Sequence, residues 1–353
     1  MNNKRCLGCG LILSTDKNNI CYTPDLTKDY CVRCWNLKHY QTNNNALSAT
    51  KIANESVNEL KIDSNKSVIF LVNDLLNINF NLIEQYKNYP YVVYVFNKID
   101  LVLNDKNKEI IYNNLINLLA SLKISDPKII LASVKNHHGI KLINDFIADN
   151  ERSYKYFFIG DTNAGKTSII QQLLMINKKK NTTNLIISPF LNTSLIYKKY
   201  KINQHDIIDA PGFNDASNLL NYLDQDQKLN NLFKLKKANQ VHYLIKKEQS
   251  FIFDKFGYIT IIPKDNCYAS FNLSLNVEIK RSKPDKIIEN FNQINSQFKF
   301  VTDEFTNSEF NVNSDKVTLQ ICGLGQIRIK GASKILVNTY KNIKIDVIDQ
   351  FIC

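Results

Sequence analysis

The chain has 353 residues, 44% of them hydrophobic, and it carries a formal net charge of +12 from 45 basic and 33 acidic side chains. This length allows two or three domains, and the composition is ordinary for a soluble globular protein. No apolar run approaches the roughly 18 residues of a membrane helix, so we expect a cytoplasmic protein, and a monomer. The charge favours an anionic partner but leaves RNA binding open, because an AT-rich coding sequence also enriches Lys and Asn.

Two Cys-x-x-Cys pairs stand near the N-terminus, and their members are Cys6, Cys9, Cys31 and Cys34. Four thiolates with about 21 residues between the pairs are typical of a closed, tetrahedral structural Zn²⁺ site. A segment of about fifty residues cannot bury much core, so the metal would supply its folding energy. Disulfides are the alternative, but no signal peptide precedes the pairs and the later cysteines are scattered. We interpret Cys21 as an incidental thiol.

Two apolar runs in the next part of the chain predict buried parallel strands, at residues 68–73 (VIFLVN) and 91–96 (YVVYVF). The second run ends in Asn97, Lys98, Ile99 and Asp100. A carboxylate there can accept two hydrogen bonds from the guanine N1–H and exocyclic amino group, which adenine cannot supply. Asp100 is therefore predicted to select GTP over ATP.

A further apolar run at residues 128–132 (KIILA) leads into Ser133, Val134 and Lys135. These residues look like the loop that contacts the guanine carbonyl through backbone N–H groups. Val134 stands where Ala is more usual. We predict that all three contact the base.

A strand predicted at residues 154–159 (YKYFFI) leads into a Gly-x-x-x-x-Gly-Lys-Thr loop and then into a helix over residues 168–176. Backbone N–H groups in such a loop point at phosphate oxygens, and the helix presents its positive N-terminus to the same charge. Lys166 would reach the β and γ phosphates, and the Thr167 hydroxyl would hold Mg²⁺. The predicted nucleotide contacts here are Gly160, Asp161, Thr162, Asn163, Ala164, Gly165, Lys166, Thr167 and Ser168.

The strand-like run at residues 205–208 ends in Asp209, and the following Pro-Gly pair marks a sharp loop. Asp209 can hold Mg²⁺ through water, and the Gly212 backbone N–H can meet the γ-phosphate. Phe213 stands where many GTPases place a Gln that orients water, so no side chain there positions the attacking water. The catalytic residues that these motifs predict are Lys166 and Gly212.

The order of the motifs is reversed relative to an ordinary GTPase, because Asn97 comes about sixty residues before the phosphate loop. The sequence therefore predicts a circularly permuted P-loop GTPase domain of the α/β class, with a doubly wound, mainly parallel sheet and ligand at the strands' carboxyl ends. Residues 219–238 predict a charged helix. The predicted domains are a four-cysteine zinc finger at 1–45, the GTPase domain at 46–238 and an α+β domain at 239–353, which we expect to bind RNA or the ribosome.

The knuckles CLGCG and CVRCWNLKHY, followed by NKID, SVK, GDTNAGKT and DAPG in permuted order, resemble the YqeH family of ribosome-assembly GTPases. The resemblance extends to residues 280–283 (KRSK) and 322–326 (CGLGQ). Two departures are residues 253–258, where a Gly-Gly-Leu-Ala-Arg stretch is expected, and Gln326, where Trp is expected. The resemblance implies slow GTP hydrolysis and GTP/GDP-dependent binding to rRNA or pre-ribosomal particles during small-subunit assembly.

By the same resemblance, the family's Pro-Gly-Thr-Thr pattern falls on residues 191–194, and Ser194 takes a Mg²⁺-ligand place. The resemblance also implies that Asn163 holds K⁺, which would act as a fixed cation opposite the charge that develops between the β and γ phosphates. The alternative for residues 191–194 is an ordinary polar loop. The alternative for Asn163 is a residue that caps a turn.

Two other functions stay open for the whole chain. One is a nucleotide-gated RNA- or protein-binding module with negligible turnover. The other is a P-loop ATPase or small-molecule kinase, against which the guanine clamp at Asp100 argues.

Overall fold

The computed structural model describes residues 4–40, 62–102, 107–150, 154–177, 195–224, 229–233, 235, 239–313, 315–331 and 333–350, together with residues 52, 55, 56 and 352. The chain divides into two compact units. The first comprises Met1–Asp100, Leu119–Asn214 and Gln225–Gln227, and the second comprises Leu101–Leu118, Asp215–Asp224 and Lys228–Cys353. None of the helices in the described ranges has the length and apolar character needed to cross a membrane.

The first unit contains a six-stranded sheet with the strand order β3-β2-β1-β4-β6-β5. Its strands are β1 (Ser67–Asp74), β2 (Val92–Asn97), β3 (Lys128–Leu131), β4 (Lys155–Gly160), β5 (Lys198–Ile202) and β6 (His205–Asp209). All pairings are parallel except that of β5 with β6. Every residue of β1 is buried, as expected for a strand covered on both faces. The predicted mainly parallel sheet is confirmed.

The helices of the chain, in the ranges that the structure describes, are α1 (Val32–His39), α2 (Phe80–Tyr86), α3 (Lys108–Ser121), α4 (Ile140–Ala148), α5 (Lys166–Ile176), α6 (Leu229–Leu232) and α7 (Ile287–Asn292). Helices α4 and α5 bury their apolar sides on the sheet, and in α4 these residues are Ile140, Ile143 and Ile147, at helical spacing. The stacked rings of Phe70 and Phe158, 4.8 Å apart, lie in the same core. This core fixes β1 and β4, whose carboxyl ends border the candidate site.

Residues 4–40 form a small cysteine module at the N-terminus of the first unit. It contains little regular structure besides α1, with isolated bridges such as Arg5 to Ile12. Its core consists of the cysteines with Leu13 and, from a distant part of the chain, Leu195. So small an apolar core contributes little folding free energy without a metal or a neighbouring surface.

The second unit contains two antiparallel sheets of five strands each, with the orders β16-β13-β14-β10-β7 and β11-β8-β9-β15-β12. The strands are β7 (Asn239–Ile245), β8 (Gln249–Phe253), β9 (Gly257–Pro263), β10 (Cys267–Leu273), β11 (Ile279–Ser282), β12 (Phe305–Val312), β13 (Lys316–Ile321), β14 (Gly325–Lys330), β15 (Ser333–Tyr340) and β16 (Ile345–Ile348). Helix α7 packs its buried Ile287 and Phe291 with Ile252 of β8. The C-terminal part is therefore rich in antiparallel strands.

The prediction of a charged helix over residues 219–238 is wrong. In the described part of this stretch, the chain forms a 3₁₀ helix at Leu219–Tyr222 and only one α-helical turn, α6. The backbone leaves the helical conformation at Leu223, which forms a bridge with Phe300, and the Asp224 N–H donates to the Lys299 carbonyl. Pairing with this distant segment overrides a local helix preference that is weak in a stretch rich in Asn.

Candidate nucleotide site and cysteine cluster

The phosphate loop joins β4 to α5 in a conformation that requires its glycines. A Cβ on Gly160 would lie 2.0 Å from the Val72 carbonyl oxygen, and one on Gly165 would lie 2.1 Å from Nδ2 of Asn97. Gly165 has φ +97° and Asn163 has φ +66°, in the left-handed region that Gly and Asn tolerate best. The loop is therefore shaped by its packing against β1 and Asn97.

Lys166 is the first residue of α5 and is only 6% exposed. Its Nζ donates to the carbonyl oxygens of Gly160, at 2.9 Å, and of Asp161, at 2.8 Å. Burial lowers the pKa of Lys166 to about 8, against the opposing effect of the Asp209 and Asp161 charges. The ammonium group is thus held inside the loop, where it could serve phosphate oxygens.

Thr167 and Asp209, which we call the magnesium pair, are joined by a hydrogen bond of 2.8 Å from Oγ1 to Oδ2. Asp209 is fully buried, and its other carboxylate oxygen, Oδ1, has no hydrogen-bond partner. Burial raises the pKa of Asp209, while the charges of Lys198 and Lys166 and the Thr167 hydroxyl lower it. A hydroxyl beside a buried carboxylate with a free oxygen suits Mg²⁺, whose ligands are oxygens.

The segment after β6 lies against the phosphate loop. Phe213 forms a parallel bridge with Asp161, donating its N–H to the Gly160 carbonyl at 3.1 Å and accepting from the Thr162 N–H at 2.9 Å. A Cβ on Gly212 would lie 2.6 Å from the Thr162 Cα, so this approach requires glycine. The structure thus brings Gly212 to the loop, and its contact with the γ-phosphate stays a prediction.

The predicted base-reading residues lie together at the ends of β2 and β3. The Ser133 hydroxyl donates to Asp100 Oδ1 at 2.7 Å, and the Lys135 ammonium lies 3.9 Å from Oδ2. Val134 packs against the core of the sheet. The Ser133 N–H donates to the His138 carbonyl, so that donor is already used within the loop. Asp100 is held in place by its neighbours, as a base-reading carboxylate must be.

Asn97 connects the base-reading motif to the phosphate loop, because its Nδ2 donates to the Ala164 carbonyl oxygen at 2.8 Å. Lys98 has φ +63°, and its ammonium forms an ion pair of 2.8 Å with Asp74 at the end of β1. The first two residues of the motif therefore organise the site, and the contact of Asp100 with a base stays a prediction.

Two residues of the site, Asp74 and Asn79, were not predicted from the sequence. Asp74 pairs with Lys98, and Asn79, the N-cap of α2, donates to Asp161 Oδ1 at 2.7 Å. Asp74 directly follows the first predicted strand run, so its place at a carboxyl strand end could have indicated it. Asn79 had no such signal, since only the fold brings α2 to the loop. The predicted Mg²⁺ ligand Ser194 lies outside the described residues.

Four buried cysteines converge in the cysteine module. The sulfur atoms of Cys6, Cys9, Cys31 and Cys34 all lie within 4.8 Å of one another. The Cys31 N–H approaches Cys6 Sγ at 3.3 Å, and the Cys34 N–H approaches Cys31 Sγ at 3.4 Å, so backbone donors face the sulfurs. Hydrogen bonds from Cys21 first, and then from Cys34 and Cys9, lower the pKa of Cys31, which favours its thiolate. The arrangement fits a tetrahedral metal ion.

Cys21, interpreted from the sequence as incidental, is fully buried and lies beside this cluster. Its Sγ is 3.7 Å from Cys9 Sγ and 3.5 Å from the Leu11 carbonyl oxygen. It therefore packs against the cluster from outside the converging four.

The phosphate loop after β4, the magnesium pair and the guanine motif after β2 define a P-loop GTPase domain in circularly permuted order. Residues 155–263 match the family model described as "50S ribosome-binding GTPase". The match starts at the phosphate-loop strand, so Asn97 and Asp100 lie upstream of it, as the permutation requires.

Among solved structures, the chain is similar to the crystal structure of YjeQ from Thermotoga maritima, with 17% sequence identity and a TM-score of 0.29. The similarity covers 42% of this chain and 48% of that one, so the chain spans about half the length of this relative. No curated protein matches the chain.

Proposed function

We propose that this protein is a slow GTPase of the YqeH family that acts in the assembly of the small ribosomal subunit. The observation that carries the nucleotide part is the hydrogen bond between Asn97 and Ala164, which holds a guanine motif against a phosphate loop that follows it in the chain. The description of the matching family and the resemblance of the N-terminal knuckles support the ribosomal part.

In this proposal each part of the site has one task. Lys166 neutralises phosphate charge, the magnesium pair holds Mg²⁺, and Asp100 selects guanine. Bound Mg²⁺ would supply charge neutralisation at the phosphates. Phe213 offers no group to orient water, so hydrolysis is slow. Asn163 holds K⁺, which would compensate for part of the missing transition-state stabilisation.

The cysteine cluster would bind one structural Zn²⁺ through Cys6, Cys9, Cys31 and Cys34. All four thiols are buried and close enough for one ion. The apolar surface of the cysteine module is small, so the metal would contribute much of its folding free energy. The domain at residues 239–353 is the proposed contact to RNA or the ribosome, and the net charge of the whole chain, +12, favours an anionic partner.

A second candidate function is a nucleotide-gated binding module with negligible turnover. The observation in its favour is Phe213, whose backbone N–H and carbonyl both pair with the phosphate loop and whose side chain cannot activate water. In that case GTP would set only the conformation of the chain.

The experiment that separates these functions has two parts. Hydrolysis and binding of GTP and ATP by the purified protein are measured side by side, since a kinase or ATPase would not discriminate against ATP. Cell lysate is then fractionated on a sucrose gradient with GDP or with a non-hydrolysable GTP analogue. We expect co-sedimentation with small-subunit particles in one nucleotide state only. The description of the matching family names the 50S subunit. Retention on large-subunit particles would therefore replace the small subunit by the large one in this proposal.

A further inference from the structure

The residues just before β5 lie directly against the cysteine module. The Cys9 carbonyl oxygen accepts hydrogen bonds from the N–H groups of Leu195, at 3.1 Å, and Ile196, at 3.3 Å. The Leu195 side chain is completely buried among the cysteines. A Cβ on Gly10 would lie 2.6 Å from the Ile196 side chain, so this side chain packs directly on the Gly10 backbone. The cysteine module and the residues that precede β5 are therefore in direct contact.

Lys198 extends this contact to the nucleotide site. Its Nζ donates to the Gly8 carbonyl oxygen, in the first knuckle between Cys6 and Cys9. In the antiparallel ladder of β5 and β6, Lys198 is directly opposite Asp209, and opposite residues share one face of a sheet. One lysine thus lies between a knuckle of the cysteine module and the carboxylate of the magnesium pair.

Lys199, the next residue of β5, is opposite Ile208 and not opposite Asp209. Lys199 points to the other face of the sheet, where its ammonium forms an ion pair of 2.7 Å with Asp206. Lys199 is therefore a matched control for Lys198, with the same charge on the same strand.

We propose that Lys198 is a positioning residue that couples the cysteine module to the magnesium pair, so that nucleotide with Mg²⁺ changes how tightly the module holds its metal ion. This inference rests on the proposed function, in which the chain binds both GTP and Zn²⁺. A divalent cation held by Asp209 would compensate the carboxylate charge that Lys198 otherwise faces, which would leave the ammonium to the Gly8 carbonyl. The ammonium then interacts more strongly with the Gly8 carbonyl and holds the knuckle closed.

Coupling between two binding sites is reciprocal, so the same factor must appear in both directions. Nucleotide with Mg²⁺ should tighten the binding of zinc, and zinc loading should tighten the binding of nucleotide with Mg²⁺ by the same factor. Typical coupling changes affinity by roughly 5- to 150-fold, and we expect at least about fivefold.

The test uses the full-length, zinc-loaded protein. The rate of zinc loss to a chromogenic chelator is measured without nucleotide, with GDP and Mg²⁺, and with a non-hydrolysable GTP analogue and Mg²⁺. We expect nucleotide to slow zinc loss about fivefold in the wild type and in Lys199→Met, but not in Lys198→Met. Lys198→Arg, which keeps a charge on that strand position, should recover part of the effect.

Zinc content, thermal unfolding and affinity for fluorescent GDP are measured on the same samples. If Lys198→Met loses zinc or stability on purification, the wild type and Lys198→Arg still decide the question. A wild type that binds both ligands but loses zinc at one rate in all nucleotide states would overturn the coupling alone. An equal nucleotide effect in Lys198→Met would overturn the role of Lys198. Failure of the wild type to bind GTP would overturn the proposed function as well.

Discussion

The side-chain amide of Asn97 donates to the main-chain carbonyl of Ala164, 67 residues later in the chain. The two residues belong to the base-reading motif and the phosphate loop, whose chain order is reversed here. The contact needs only that the carboxyl ends of β2 and β4 lie at one edge of the same sheet, and β1 lies between them as their common neighbour. The reversed chain order is therefore compatible with this contact between the two motifs.

We expect Asn97→Ala to weaken GTP binding and to destabilise the protein. The substitution leaves the buried Ala164 carbonyl without its donor, at a cost of about 1–3 kcal/mol. Urea unfolding and titration with fluorescent GDP measure the two effects. Asn81→Ala, a change at an exposed position of α2, serves as the control for loss of an Asn. Wild-type stability and affinity in Asn97→Ala would show that the contact does not organise the loop.

Asp100→Asn should weaken GTP binding about a hundredfold, since two charge-assisted hydrogen bonds are worth about 3 kcal/mol here. The same variant should favour xanthosine nucleotides, because their base offers an acceptor where guanine offers an amino group. Ser133→Ala removes the hydrogen bond that holds Asp100 and should weaken GTP binding without changing base preference. Unchanged GTP affinity in Asp100→Asn would remove the assignment of this residue to the base.

The affinity for GDP should fall about tenfold between pH 7 and pH 9, because the pKa of Lys166 is about 8 and only the ammonium form attracts phosphate. Folding stability of the free protein should change in the opposite direction. The unfolded chain keeps this proton up to its ordinary pKa of 10.5, so between pH 8 and that value stability rises with pH. Fluorescent-GDP titrations and urea unfolding at several pH values measure both.

Lys166→Arg is the control for this pH dependence, since a guanidinium keeps its charge throughout the range. If Lys166→Arg binds GDP at all, its affinity should be flat with pH. A slope equal to that of the wild type would assign the effect to another group.

One zinc ion per chain should be present in the wild type and in Cys21→Ser, and lost in Cys31→Ser. The Cys31 thiol is one of the four converging groups, whereas Cys21 packs beside them. Metal analysis of the purified proteins gives the stoichiometry, and proteolysis reports whether the cysteine module stays folded. Full zinc in Cys31→Ser would rule out this ligand set, and loss of zinc in Cys21→Ser would add Cys21 to it.

Replacing Na⁺ with K⁺ at constant ionic strength should raise GTP hydrolysis in the wild type but not in Asn163→Gly. Glycine is the sharper substitution because Asn163 has φ +66°, which glycine adopts without strain and alanine does not. The loop is then preserved while the side chain is removed. Hydrolysis and GTP affinity are measured together, and the effect should fall on the chemical step. Equal hydrolysis in both salts, or a K⁺ effect that persists in Asn163→Gly, would contradict the cation mechanism.

The sequence by itself determined the elements whose signals are local. The apolar run before Gly160 and the glycine spacing after it define a strand, a phosphate loop and a helix within about twenty residues, and the two Cys-x-x-Cys pairs define four candidate ligands. The order of Asp100 and Lys166 along the chain is enough to predict the permutation.

Some features of the fold and of the site depend on contacts between distant segments, and these features were decided by the tertiary structure alone. The described residues of the stretch 219–238 do not form the predicted helix, because residues 299–301 pair with Tyr222 to Asp224. Asn79 reaches Asp161, and Lys198 reaches Gly8, only because segments that are far apart in the sequence become neighbours in the fold. A local pattern carries no information about such neighbours, since strand order is set by the packing of the whole sheet and its helices.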